Sequence, residues 1–206
     1  EKVKLDTVGP LFHGVKVKIA EDGEILVSGE NIMNGYWNDA DATSKTLING
    51  WIHTGDIGEF DEEDYLKITD RKKDIIVNAG GDNISPSRVE EKLNIEPEIS
   101  QSMVYGDFKN YLVAIIIPDK EQALVWAKNN SKENSLSTLI KDEDYNKTIK
   151  EIISKVNNNL SVIEQVRKFI LIDHEFTIEN DMMTPTMKVK RYKIKSVFGD
   201  QLENLY

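Results

Sequence analysis

The sequence predicts an α+β protein in two parts: a β-rich stretch over residues 1–70, then a smaller α+β unit over 71–206 in which a short mixed or antiparallel sheet is flanked by helices. Two observations carry this expectation. Before residue 70, apolar residues recur at every second position between turn-forming clusters, whereas beyond residue 74 three-to-four spacing alternates with short apolar runs. The change of period falls in the charged knot Arg71-Lys72-Lys73-Asp74, which therefore marks the expected boundary.

In chain order, Val15, Val17 and Ile19 alternate with Lys16 and Lys18, and Glu21-Asp22-Gly23 supplies turn chemistry before Ile25 and Val27 alternate again, the pattern of a β-hairpin. Trp51-Ile52, Ile57 to Phe60 and Tyr65 to Ile68 are further short strands, the last two joined by the acidic turn 61–64. Ile75 to Val77 is the first strand of the second part. Ser85 then offers an N-cap, Pro86 a first helical residue, and Val89 and Leu93 an inner helix face. Met103 to Tyr105 and Tyr111 to Ile117 read as strands, the second closed by Pro118. Helices are expected over about 119–129 and 142–159, the latter on the spacing of Tyr145, Ile149, Ile152 and Val156. A surface loop is expected over 129–138 and a strand over Phe169 to Ile172. A terminal helix is striped by Ile194, Val197, Phe198, Leu202 and Leu205.

Composition narrows the function. Acidic residues outnumber basic ones, 36 to 26, a formal charge of −10 that repels nucleic-acid backbones and anionic lipid surfaces. With no cysteine there is no disulfide, thiolate metal site or cysteine nucleophile, which fits a reducing compartment such as the cytoplasm. The longest strongly apolar run, Leu112 to Ile117, is far short of a bilayer span. Peripheral association with a membrane stays compatible with that. His13, His53 and His174 lack metal-ligand spacing, so no metal site is expected.

Three stretches carry chemistry, each with a plainer reading beside it. In Trp51 to Gly58, WIHTGDIG, a glycine before Asp56 lets the backbone fold tightly and present one carboxylate at a loop, where it can accept hydrogen bonds from a vicinal diol such as a ribose. The plain alternative is a turn aspartate satisfying local amides. Arg71 follows 15 residues later, so a strand, turn and strand would return its guanidinium beside that carboxylate; alternatively the knot is a solvated linker. Gly80-Gly81 is either a hairpin turn or a place where another molecule lies against the backbone. In Met183 to Ile194, MTPTMKVKRYKI, a stiff Thr-Pro-Thr loop leads into a basic block, Lys188, Lys190, Arg191, Lys193 and Lys195. It suits either phosphate or a solvated helix start.

Taken in order, GEILVSGENIMNGYW (23–37), WIHTGDIG (51–58), DRKKDIIVNAGGDNISP (70–86) and TPTMKVKR (184–191) resemble successive motifs of the adenylate-forming, AMP-binding superfamily, and within it the long-chain fatty acyl-CoA synthetases. The resemblance implies a two-step reaction: a fatty acid carboxylate attacks the α-phosphate of ATP to give acyl-adenylate and pyrophosphate, and the thiol of coenzyme A then displaces AMP. It implies that Asp56 and Arg71 hold the ribose of ATP or AMP, that Lys73 is a hinge, and that Gly80 and Gly81 line the passage of the pantetheine arm. It assigns to Lys188 the stabilisation of the adenylation transition state. Between steps the small domain would rotate, presenting Lys188 and then the glycine face. Asp70 and Met187 stand where glycine is found in most and in many relatives respectively, and both substitutions resemble the long-chain subgroup; Asp82 departs from the basic or differently sized residue often found after the glycine pair.

The family's Ser/Thr/Gly-rich phosphate loop, its magnesium-holding glutamate motif and its acyl pocket do not occur in these 206 residues. The resemblance therefore implies the C-terminal portion of a longer enzyme: 1–70 as the β-rich tail of a large AMP-binding domain, 71–206 as hinge and small mobile domain. Mg2+ would arrive with ATP on ligands outside this chain, and the chain alone is expected not to form acyl-CoA. A ligase that loads an acyl carrier protein and a stand-alone binding or regulatory module are the competing readings.

Overall fold

The computed structural model describes residues 4–206. Its backbone separates into two compact units, 1–75 and 76–206.

The first unit is built on a five-stranded antiparallel sheet. β1 (Val15–Ile19) and β2 (Glu24–Gly29) form the expected hairpin, with Asp22 Oδ1 accepting the Glu24 N–H at 3.1 Å in the turn. Trp51-Ile52 and Ile57–Phe60, expected as separate strands, are two ends of one ten-residue strand, β4 (Trp51–Phe60). It is continuous because it has neighbours along both edges: β2 on one side, and on the other β3 (Leu47–Ile48) followed by β5 (Leu66–Arg71). The acidic turn before β5 closes through Asp61 Oδ1, which accepts the N–H groups of Glu63 and Tyr65.

A short helix, α1 (Ala40–Thr46), interrupts this β-rich part. No apolar period announces it, since none of its residues is buried; Asp39 caps it by accepting the Ala42 N–H at 2.9 Å. Among the described residues this unit buries only Ile25, Leu26 and Leu66 as apolar side chains, while Leu5, Phe12 and Trp37 stand in solvent.

The second unit has a true core. Its three-stranded sheet runs β10-β9-β8, with β8 (Ile99–Tyr105) antiparallel and β10 (Val166–Leu171) parallel to the central β9 (Leu112–Pro118). Every residue of β9 is buried, and the two-residue period of a strand divides them between two faces. Leu112, Ala114 and Ile116 pack with α2 (Pro86–Asn94), α3 (Lys120–Asn129) and α5 (Glu143–Asn157). Val113, Ile115 and Ile117 pack with Phe176 and with Ile194, Phe198 and Leu202 of α6 (Arg191–Glu203). Helices on both faces explain why β9 reads as an unbroken apolar run rather than an alternating one.

Local signals set the helix starts. Ser85 Oγ accepts the Arg88 N–H ahead of Pro86, and Asp119 and Asp142 cap α3 and α5. The stretch expected as loop over 129–138 ends in a single helical turn, α4 (Leu136–Leu139), which buries Leu139. On α6, Val197 faces solvent, and Leu205 lies beyond the helix end. A two-stranded hairpin, β6 (Ile76–Val77) with β7 (Asn83–Ile84), precedes α2. No helix among the described residues is long and apolar enough to cross a membrane.

Candidate functional site

Asp56 and Arg71 lie opposite each other in the β4–β5 register, and Arg71 Nε meets Asp56 Oδ1 at 2.7 Å. The strand, turn and strand that separate them in sequence thus bring the two side chains together. Asp56 does not stand on a loop, however: it belongs to β4. From Leu26↔His53 to Glu24↔Ile57, β2 advances two residues while β4 advances four, so Thr54-Gly55-Asp56 forms a bulge inside the strand. Gly55 takes the left-handed backbone there, with φ of +71°, which is why a glycine precedes the aspartate. Thr54 Oγ1 stiffens the bulge by donating to the Ile25 carbonyl at 2.7 Å and accepting the Asp56 N–H at 3.1 Å.

The pair is half-exposed on the arginine side, with 52% of the Arg71 and 24% of the Asp56 side chain accessible. One carboxylate oxygen and the terminal guanidinium nitrogens have no partner among the described residues. Together they offer an acceptor beside a planar cationic donor fork, the groups that a vicinal diol can bridge.

Sequence reasoning missed Glu24. Its carboxylate is 4% exposed and lies behind the bulge. Oε1 accepts the Gly55 N–H at 2.9 Å; Oε2 accepts from Lys72 Nζ at 2.9 Å and lies 3.0 Å from His53 Nδ1. Burial opposes its ionisation, but the bonds from Lys72, His53 and Gly55 outweigh it and hold the carboxyl below the ordinary glutamate value. Asp22, 2.6 Å away, and Glu24 raise the pKa of Lys72 in turn. A glutamate directly ahead of Ile25-Leu26-Val27 was the available signal, since a charge in a buried strand needs partners. Lys72–Asp74 forms one 3-10 turn, tied back by the Ile75 N–H to the Arg71 carbonyl. Lys73 lies in this turn, exposed, its side chain without a partner among the described residues.

In the second unit, Gly80 and Gly81 form the exposed tip between β6 and β7. The loop is closed by Asn78, whose Oδ1 accepts the N–H groups of Gly80 and Asp82 and whose amide donates to Asp82 Oδ2 at 2.9 Å. Gly81 has φ of +86°, so the turn itself requires glycine there; a Cβ placed on it would meet nothing within 4 Å. Asp82, the departure from the family pattern, is thus spent on closing the loop.

Lys188 lies at the end of a tight loop. The Thr184 N–H donates to the Lys188 carbonyl at 2.8 Å and the Lys188 N–H to Thr184 Oγ1 at 3.0 Å, while Met183 and Val189 bridge as in a hairpin. Met187 carries φ of +60°, the backbone for which glycine is the usual residue. The rest of the basic block is occupied: Lys190 and Lys193 pair with Asp181, Arg191 with Glu90, and Lys195 lies over the Tyr105 ring. The exposed Lys188 ammonium has no ion pair among the described residues. Of the expected site residues, then, Asp56 and Arg71 are brought together in the first unit, and the glycine tip and the Lys188 loop are separate features of the second.

The chain is 40% identical over 206 residues to a long-chain-fatty-acid–CoA ligase of Mycobacterium tuberculosis, FadD15, covering 99% of this chain and 34% of the relative. Among solved structures, the adenylation domain of a carboxylate reductase from Mycobacterium chelonae shares its fold, with a TM-score of 0.78 at 24% identity over 97% of this chain and 31% of that one. O-succinylbenzoate coenzyme A synthetase from Bacillus subtilis, in complex with AMP, gives a TM-score of 0.63 at 28% identity over 93% of this chain and 36% of that one. The chain thus spans about a third of the length of the proteins it matches. Residues 73–206 match the family described as AMP-binding enzyme C-terminal domain, nearly two thirds of the sequence, and the chain belongs to that family.

Proposed function

We propose that this chain is the C-terminal part of an acid–thiol ligase that activates a long-chain fatty acid with ATP and transfers the acyl group to coenzyme A. The observation that carries the reading is the Asp56–Arg71 pair, which leaves a carboxylate oxygen and a guanidinium fork open on a strand bulge. In this reading residues 1–70 are the tail of a large AMP-binding domain, and 71–206 are the hinge and small domain. The scarcity of buried apolar residues in the first unit supports it, because such a sheet needs cover from outside these residues.

The roles follow from charge and access. Asp56 accepts from the ribose hydroxyls while Arg71 orients its carboxylate. In the first step a fatty acid carboxylate oxygen attacks the α-phosphorus, pyrophosphate leaves, and the unpaired Lys188 ammonium offsets the negative charge that builds up on the phosphoryl oxygens. In the second, the thiol of coenzyme A attacks the acyl carbonyl, loses its proton and expels AMP; the open space around Gly81 suits the narrow pantetheine arm. Lys73, the first residue past the tethered Lys72, is the pivot between the two arrangements. The relative named for coenzyme A favours that acceptor over a carrier protein. Mg2+ would come with ATP, held by ligands outside these residues. A cytoplasmic setting accords with the lack of cysteine.

The test restores the upstream residues and replaces Lys188 by Ala. Adenylation is expected to fall by about 10²–10³, the usual cost of one transition-state donor, while thioester formation from supplied acyl-adenylate survives. If both half-reactions run at the unmodified rate, Lys188 is a solvated surface cation and its role is withdrawn.

A further inference from the structure

We propose that Glu24 is the positioning residue of the ribose pair, holding Asp56 and Arg71 in register through the residues adjacent to each. This rests on the reading of Asp56 and Arg71 as ribose ligands. Gly55 immediately precedes Asp56 and Lys72 immediately follows Arg71. Both donate to the Glu24 carboxylate, Gly55 through its backbone N–H and Lys72 through Nζ, each at 2.9 Å.

The geometry explains why a carboxylate occupies this position. A strand that needed only burial here would carry another apolar residue, as it does at Ile25 and Leu26, because a buried charge without partners is costly. The bulge takes Gly55 out of the regular ladder, so its N–H needs another acceptor, which Glu24 Oε1 supplies. The second oxygen reaches across to Lys72, 48 residues on, and Asp22 grips the same ammonium at 2.6 Å. One buried group thus holds the Gly55 backbone beside one member of the Asp56–Arg71 contact and the Lys72 side chain beside the other.

Glu24→Gln keeps an acceptor for Gly55 but turns an amide donor, or a neutral oxygen, toward the lysine. Lys72→Met removes the same contact from the other side. In the enzyme with its upstream residues restored, each is expected to raise the KM for ATP about tenfold, the scale of one charge-assisted hydrogen bond, and to leave the KM for the fatty acid unchanged. The double variant is expected to lose less than the sum of the two single changes, because both interrupt the Glu24–Lys72 contact, while Lys72→Met also releases Asp22. Asp56→Ala, measured alongside, separates the two readings. If it raises the KM for ATP while Glu24→Gln and Lys72→Met stay within twofold of the unmodified enzyme, the positioning role is wrong and the ribose reading stands. If Asp56→Ala itself has no effect, the ribose reading fails and the positioning role with it. A parallel rise in both KM values would mark a general loss of structure and also overturn the proposal. Should Glu24→Gln fail to fold, Lys72→Met, at a half-exposed side chain, carries the same comparison.

Discussion

Arg191→Met should cost the second unit about 3 kcal/mol, and the structure says why. Glu90 on α2 is buried, and its two oxygens receive Arg191 Nη1 at 2.6 Å and Nη2 at 2.5 Å, with the Val104 N–H adding a bond of 2.7 Å to Oε1. Arg191 is the first residue of α6, whose N-terminus has no side-chain cap and no acid in its first turn. A cation is disfavoured at that end of the helix dipole, so the carboxylate from α2 is what makes the position tolerable. Breaking a buried pair from one side typically costs about 3–5 kcal/mol. With 21% of the Arg191 side chain accessible, water relieves part of the loss, and the low end applies. For a unit of this size that corresponds to a melting shift of roughly 10 °C. Urea unfolding followed by far-ultraviolet circular dichroism reports it, because among the described residues every α-helix except α1 lies in the second unit. Combining Glu90→Gln with Arg191→Met should lose less than the sum of the single changes. A loss below about 1 kcal/mol, or strict additivity, would show that the pair behaves as a screened surface contact and refute the reasoning.

Two further outcomes are expected. Expressed separately, residues 76–206 should fold with a cooperative transition, since both apolar clusters lie there, whereas residues 1–75 should not; cooperative unfolding of the isolated first segment would contradict the account of its sparse core. Met187→Gly should stabilise the second unit by up to about 1 kcal/mol by relieving the left-handed backbone, and a lower denaturation midpoint would show that the methionine side chain contributes more than its φ costs.

Much of the local structure was legible in the sequence because it is encoded locally. The Val15–Val27 hairpin follows from alternation around a turn, α2 from Ser85-Pro86 and the Val89–Leu93 spacing, and α5 from the stripe that buries Tyr145, Ile149 and Val156. The 15-residue interval from Asp56 to Arg71 was also readable as strand, turn and strand, and those side chains meet at 2.7 Å. Helix α1 was not legible, because it buries nothing and so leaves no apolar period.

What only the tertiary structure decided are the contacts between residues far apart in the chain. Gly55 placed Asp56 at a tight bend in either reading, but the bend is a bulge within β4 because β2 and β5 pair with it from both sides. Glu24 became visible as a clamp only when His53 and Lys72, 29 and 48 residues on, met around it, and Glu90 found Arg191 across 101 residues. Period, caps and turn residues act over a few neighbours and are written in order along the chain. Which buried charge meets which donor depends on sheet register and helix packing, and no local pattern specifies those.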